Sequence, residues 1–282
     1  MPEVTLDQGT VRYTDSGGEG PVVVLIHGLL VDGSLWRDVV PTLARQARVV
    51  VPDLPLGSHR IPLRPDADLS PPGVARLIAD FLAALDLREV TLVGNDTGGA
   101  MCQLTLTRHP ERLARIVLTN CDSHKNFLPP MFRPMQWLPR IPGAMGLTAR
   151  LLGQSWVRQV FAKNFGGLTS APVDRARVDA WLIPVSENLG VRHDVAKVLL
   201  GIDNRYTMEA ARKLAEFPGP ALLVWGRRDR FFTPAHAERL AAEFTDARIE
   251  WVDRSRTFVP VDAPERLAEL VAEFVQRDAL RG

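Results

Sequence analysis

The stretch Val93-Gly-Asn-Asp-Thr-Gly-Gly-Ala100 decides how this chain is read. The apolar run EVTLV leads into it, and a helical pattern follows. A strand therefore turns sharply into a helix with a carboxylate, Asp96, at the bend. A tip residue forced into an unfavourable backbone conformation needs small neighbours, and Gly94 and Gly98 supply them. The tip lies over a helix N-terminus, where N–H groups and the dipole stabilise an anion. Asp96 is expected to be ionised and presented to a pocket. The plainer alternative is that it only caps the helix.

Strand and helix patterns alternate outward from this bend. VVVLIHG (Val22–Gly28), RVVVPDL (Arg48–Leu54) and RIVLTN (Arg115–Asn120) are continuous β-branched runs, as suits strands buried on both faces. SLWRDVVPTLARQ (Ser34–Gln46) is mainly helical, with Pro41 able to bend or shorten it. Val74, Leu77, Ile78, Phe81, Leu82 and Leu85 share one helix face behind a Ser70-Pro71 start. PALLVWG (Pro220–Gly226) and ARIEWV (Ala247–Val252) resume the strands, and ERLAELVAEFVQRDAL closes the chain as a helix. Asp262 and Glu265 fit a capping box ahead of it. The expected fold is α/β, a mostly parallel sheet with helices on both faces. The pattern breaks after Asn120. From Phe127 to Phe217 prolines and helical stretches replace strands, which predicts a core of residues 1–124 and 214–282 and a helical cap over 125–213. In such sheets ligands sit beyond the carboxyl ends of the strands, where Asp96 stands.

The bulk numbers remove whole function classes. The chain has 282 residues and a formal net charge of +1, with charges mixed along it, so a nucleic-acid partner is not expected. The longest apolar runs fall short of a membrane span, and no membrane partner is expected. The opening MPEVTLDQGTVRY has neither a basic nor an apolar leader region. Cys102 and Cys121 read as two reduced thiols of a cytoplasmic protein. No HExxH, clustered Cys/His set or well-placed GxGxxG points to a metal or cofactor. The expected partner is a small-molecule substrate, and the sequence does not set the oligomeric state. Phe127, Met131, Phe132, Met135, Trp137, Leu138, Trp156, Phe161, Phe165 and Trp181 suit an apolar pocket lid, or serve to fix the lid to the core.

Taken together, Gly94-Asn-Asp-Thr-Gly98, His27-Gly28, the helical insertion, Gly226-Arg-Arg-Asp229 and the closing DAPERLAELVAEF resemble the α/β-hydrolase superfamily over nearly the whole chain. An Asp at the elbow is similar to the haloalkane dehalogenase, fluoroacetate dehalogenase and epoxide hydrolase branch. That resemblance implies that Asp96 attacks carbon to form an ester, which a His-activated water then cleaves. It implies that Asp229 is the acid that orients the His, and that the backbone N–H groups of Leu29 and Thr97 form the oxyanion hole. His27 stands at a place that is structural in the family.

The departures from the family pattern are specific. Aligning Phe258 and the following DAPE places Thr257 where the catalytic His belongs, and Thr is no base near neutral pH. Leu29 and Thr97 replace the Asn and Trp side chains that bind halide in the larger dehalogenases. Only Tyr13 and Tyr206 are present, and Tyr13 lies in the N-terminal strand region, so the two-tyrosine cap of epoxide hydrolases is incomplete. Of six histidines, His59 and His124 stand in loops at the carboxyl edge, and either could supply a relocated base or be structurally bonded instead. Asp122 could orient His124 or line the pocket, whereas His236 reads as a solvated helix residue. Three functions are carried forward. One is hydrolysis through an Asp96 ester, if a relocated His supplies the base. The second is a non-hydrolytic acid/base enzyme (isomerase, lyase, dehydratase or cyclase) using Asp96. The third is a catalytically silent ligand-binding homologue.

Overall fold

Strand β3 (Val22–Ile26) explains the layering: Val24 and Ile26 pack into one hydrophobic layer, Val23 and Leu25 into the other. A strand with no polar face must be covered on both sides. In the computed structural model, which describes residues 1–279, it is. Phe81, Ile78, Leu77 and Val74 of the helix Pro71–Ala84 cover one face. Leu267, Val271 and Phe274 of the helix Pro264–Ala279 cover the other, beside Trp36 and Leu43. Ser70 caps the first of these helices by accepting from Gly73 N at 3.3 Å, as its position before two prolines predicts.

The remaining strands are β1 (Glu3–Leu6), β2 (Gly9–Asp15), β4 (Arg48–Pro52), β5 (Val90–Asp96), β6 (Leu113–Cys121), β7 (Ala221–Gly226) and β8 (Ala247–Val252). The sheet order is β1-β2-β4-β3-β5-β6-β7-β8. β1 and β2 pair antiparallel and β2 is antiparallel to β4, while every pair from β4 to β8 is parallel. The order reverses at β3, flanked by β4 and β5, so a crevice opens at the carboxyl ends of β3 and β5. The loop after β3 and the elbow after β5 meet there.

Helices alone connect β6 to β7, among them Ala144–Leu152, Ser155–Ala162, Arg175–Glu187, Leu189–Gly201 and Asn204–Ala211. This segment is tied down over the carboxyl edge. Ser58 Oγ donates to the Trp181 carbonyl at 2.6 Å, Trp181 Nε1 donates to Ser34 Oγ at 2.9 Å, and Thr207 Oγ1 donates to the His124 carbonyl at 2.6 Å.

Two local readings are corrected. Ser34–Gln46 is not one helix: a 3₁₀ turn at Gly33–Trp36 and a short helix at Val40–Leu43 replace it, Pro41 being tolerated only in a first turn. The capping box at Asp262 does not form. The Asp262 carboxylate accepts from Ser170 N at 2.8 Å and Arg256 N at 2.8 Å, pinning the inserted helical segment and the 253–258 loop together.

Candidate active site

Asp96 ends β5 with φ 54° and ψ −131°, a conformation a side chain adopts only under constraint from its surroundings. The constraint is close packing. A Cβ on Gly98 would collide with the His27 carbonyl oxygen, and one on Gly94 would lie 2.6 Å from Cys102 Sγ and 2.7 Å from Gly99 Cα. Glycines at both places let the elbow press against β3 and its own helix. Asp96 does not cap that helix with its side chain. The backbone N–H groups of Thr97 and Leu29 nonetheless favour its charged form.

The N–H pair therefore acts on the carboxylate itself, and Asp96 lines a cavity. That cavity is about 230 Å³, and its lining is almost wholly apolar. Leu29, Leu30 and Leu128 come from the core edge; Phe132, Met135, Leu138, Leu152, Phe161, Phe165 and Leu182 come from the helical segment. Asp96, Thr97 and Thr148 are the residues of the lining with polar side chains. Burial pushes the Asp96 pKa up to about 6; nearby Asp229 adds to the rise, and the two N–H donors oppose it.

Asp229 lies in the loop after β7, buried, with both oxygens occupied. One accepts from Phe231 N at 2.8 Å and Phe232 N at 3.2 Å. The other accepts from Asn120 Nδ2 at 2.8 Å and from Thr257 Oγ1 at 2.9 Å. Burial raises its pKa against these four donors. Thr257 is fully buried, and its carbonyl accepts from Asn95 Nδ2 at 2.7 Å. Asp229 thus holds a hydroxyl that has no basic lone pair to offer at neutral pH. Above Thr257, the Phe258 ring packs against Phe165 and Trp181 at centroid distances of 5.7 and 6.0 Å. Phe258 N donates to the Leu168 carbonyl at 2.9 Å, so the helical segment is fastened directly over this loop.

The two loop histidines are placed elsewhere. His59 is buried with Nε2 3.1 Å from Asp194 Oδ2, on the helix Leu189–Gly201, and the same carboxylate oxygen accepts from Leu63 N at 2.8 Å. His124 contacts Glu243 Oε1 through Nε2 at 2.9 Å and Ser123 Oγ through Nδ1 at 3.2 Å. Neither ring lines the cavity that holds Asp96. Asp122 orients neither of them and is not in the lining. It accepts from Thr97 Oγ1 at 3.2 Å and Leu128 N at 2.9 Å, and burial, reinforced by Asp96, pushes its pKa well above the usual carboxylate range. His27 accepts from Leu54 N at 2.9 Å, a structural role. His236 is not a solvated residue: it is half-buried, and its Nδ1 lies 3.0 Å from Thr233 N and 2.9 Å from Thr233 Oγ1 at the start of its own helix. Cys102 and Cys121 are buried free thiols whose pKa burial drives up.

Asn95 and Asn120 bond Thr257 and Asp229, contacts that the motif reading missed. Asn120 donates to Asp229 and accepts from Gly226 N at 2.6 Å, joining β6 to β7 at the acid. The only available signal was two asparagines at the ends of otherwise apolar strands.

Comparison with known proteins supplies the family. The alpha/beta hydrolase fold model matches residues 21–263, and the chain belongs to that family. It is 32% identical over 111 residues to a haloalkane dehalogenase of Mesorhizobium japonicum, a match covering 39% of this chain and 35% of that protein's length. It is 26% identical over 280 residues to a 2-hydroxy-6-oxononadienedioate/2-hydroxy-6-oxononatrienedioate hydrolase of Paraburkholderia xenovorans, covering 94% of this chain and 90% of the relative. Among solved structures, the ancestral haloalkane dehalogenase AncHLD2 superposes with a TM-score of 0.76 at 23% identity, over 98% of this chain and 99% of the other.

Proposed function

We propose that this member of the alpha/beta hydrolase fold family is an enzyme for a small, largely apolar organic substrate, with Asp96 as its reacting group working by proton transfer. The observation that carries the reading is the contrast at one site. The Asp96 carboxylate, at a strained elbow, lines an apolar cavity, while Thr257 bonds Asp229 and no imidazole enters the lining.

The chemistry follows from occupancy. Because the N–H groups of Thr97 and Leu29 favour the charge of Asp96 itself, the site is arranged around that carboxylate more than around the oxygen of an incoming ester. A carboxyl with a pKa of about 6 has an appreciable share of both protonation states near neutrality. It can take a proton from one position of a bound substrate and return it at another, as an isomerase, lyase, dehydratase or cyclase requires. Little water is needed, and the apolar walls favour a substrate that brings few polar groups. Asp229 and Asn95 hold the Thr257 loop, and Asp229 keeps a negative field near Asp96 that helps raise its proton affinity.

A second reading rests on the elbow and on the similarity to the Mesorhizobium dehalogenase. Asp96 would attack an electrophilic carbon, expelling its leaving group and forming an ester. With no base in the cavity lining to activate water, the ester would persist.

One experiment separates the readings. The protein is incubated in D₂O with panels of haloalkanes, epoxides, activated esters and unsaturated or hydroxylated apolar compounds, and both small molecules and intact protein mass are recorded. Proton transfer gives isomerised or deuterated product, abolished by Asp96→Asn, with the protein mass unchanged. Covalent attack gives a stable mass increase located at Asp96. Hydrolytic turnover that survives Asp96→Asn would refute both readings.

A further inference from the structure

The helical segment carries apolar side chains on its outside as well as over the cavity. Trp137, Leu147 and Trp156 are 62%, 62% and 66% exposed, and Ile141, Leu151 and Val160 are exposed beside them. In the helix Ala144–Leu152 the outward pair Leu147 and Leu151 is four residues apart; in Ser155–Ala162 the outward pair is Trp156 and Val160. Such spacing makes a stripe on one face of each helix. Neighbouring positions on these helices, Thr148, Leu152 and Phe161, line the cavity. The lid is thus one helix thick, apolar on the inside and the outside.

Its charge is one-sided. From Lys125 to Val173 the sequence has six cations (Lys125, Arg133, Arg140, Arg150, Arg158 and Lys163) and no carboxylate, in a chain whose totals are 34 basic and 33 acidic residues. Arg158 turns inward to Asp179, but Arg133, Arg140, Arg150 and Lys163 are exposed, and Arg140 stacks 5.1 Å from the Trp137 ring centre. The nearest acids downstream are already engaged: Asp174 pairs with Arg37, and Asp179 with Arg158 and Arg175.

We infer that this outer face docks on an anionic membrane surface. Exposed indoles and aliphatic side chains set among cations suit the headgroup boundary of a bilayer, where Trp is favoured and Lys and Arg meet acidic lipids. A second copy of the chain fits poorly, because a two-fold contact would set this patch against itself, cation to cation. Docking requires no span; among the described residues no helix is long and apolar enough to cross a membrane. It would bring the thin lid against the lipid phase in which an apolar substrate concentrates.

The test is co-sedimentation of the full chain with phosphatidylcholine vesicles, with and without equimolar phosphatidylglycerol. Binding to the anionic vesicles, weakened by salt, is expected. Arg140→Gln or Arg150→Gln should each lower partitioning roughly fivefold, and Leu147→Glu with Trp156→Glu by about tenfold or more. These exposed sites should leave the unfolding midpoint of the protein unchanged. Failure to bind anionic vesicles, or binding that these substitutions do not alter, would overturn the inference. So would a solution dimer that Leu147→Glu/Trp156→Glu dissociates, since the face would then belong to a second copy.

Discussion

Replacing Asp96 by Asn should make the protein more stable, and only above a definite pH. The carboxyl rises from its ordinary 3.8 to about 6 in the folded chain, chiefly because burial penalises its charge. Below the unfolded value both states are protonated, and the folded state bears no charge penalty. As pH climbs from about 4 through 6 the unfolded chain ionises first, and stability is progressively lost. Above the folded value the loss is complete. At about 1.4 kcal/mol per decade of proton affinity, the cost is about 2–3 kcal/mol once the open cavity side is allowed for. Asn keeps an oxygen for the Thr97 and Leu29 N–H groups while removing the charge. Urea unfolding of both proteins at pH 4, 5, 6, 7 and 8 measures the difference. Near pH 4 the two should unfold alike, with the Asn variant gaining about 2–3 kcal/mol by pH 8. A pH-independent difference, or a variant that is weaker at pH 8, would show that Asp96 is not a buried charge raised by desolvation.

Further outcomes follow from the same geometry. Thr257→His should place an imidazole beside Asp229 and convert a persistent Asp96 adduct into multiple turnovers; an adduct that stays stoichiometric would show that more than the ring is missing. His59→Ala should leave turnover within about threefold but cost on the order of 1–3 kcal/mol in thermal unfolding, because buried Asp194 loses one of its partners. Turnover abolished at unchanged stability would make His59 catalytic after all. His124→Ala should likewise spare turnover, as its ring is taken by Glu243 and Ser123. Gly98→Ala should destabilise by about 2 kcal/mol or more through the clash with the His27 carbonyl; a neutral effect in calorimetry would mean that the elbow is less tightly packed than described.

The elbow was legible because its requirements are local: two glycines and a short polar turn between a strand and a helix admit few backbones. The place of Asp229 beside the Thr257 loop was legible for the same reason, since it follows the end of β7 by three residues. The histidines were not. The direction of the His59 ring is set by Asp194, 135 residues on, and that of His124 by Glu243, 119 residues on. No local pattern encodes either partner. Asp262 has the spacing of a cap yet is claimed by Ser170 and Arg256, a tertiary contact overriding a helix-end preference. The apolar residues of the inserted segment were read as lid, and their composition could not sort them. Phe132, Met135, Leu138, Phe161 and Phe165 line the cavity, Phe127 and Trp181 are buried, and Met131, Trp137 and Trp156 face outward.

The Asn95 to Thr257 hydrogen bond joins residues 162 apart, across the whole inserted segment. As the chain is synthesised, the elbow, its neighbours β3 and β6, and then all the helices between β6 and β7 emerge before Asp229 and Thr257 exist. The carboxylate at the bend is therefore made early and surrounded late. A ribosome stalled before β7 would hold a nascent chain with the bend residues and inserted helices already synthesised, but with Asn95 lacking Thr257 and Asn120 lacking Asp229 and Gly226. Closing so long a loop is slow compared with forming local helices. The C-terminal strands are thus the last to be synthesised, and the sheet and the surroundings of Asp96 are completed only with them.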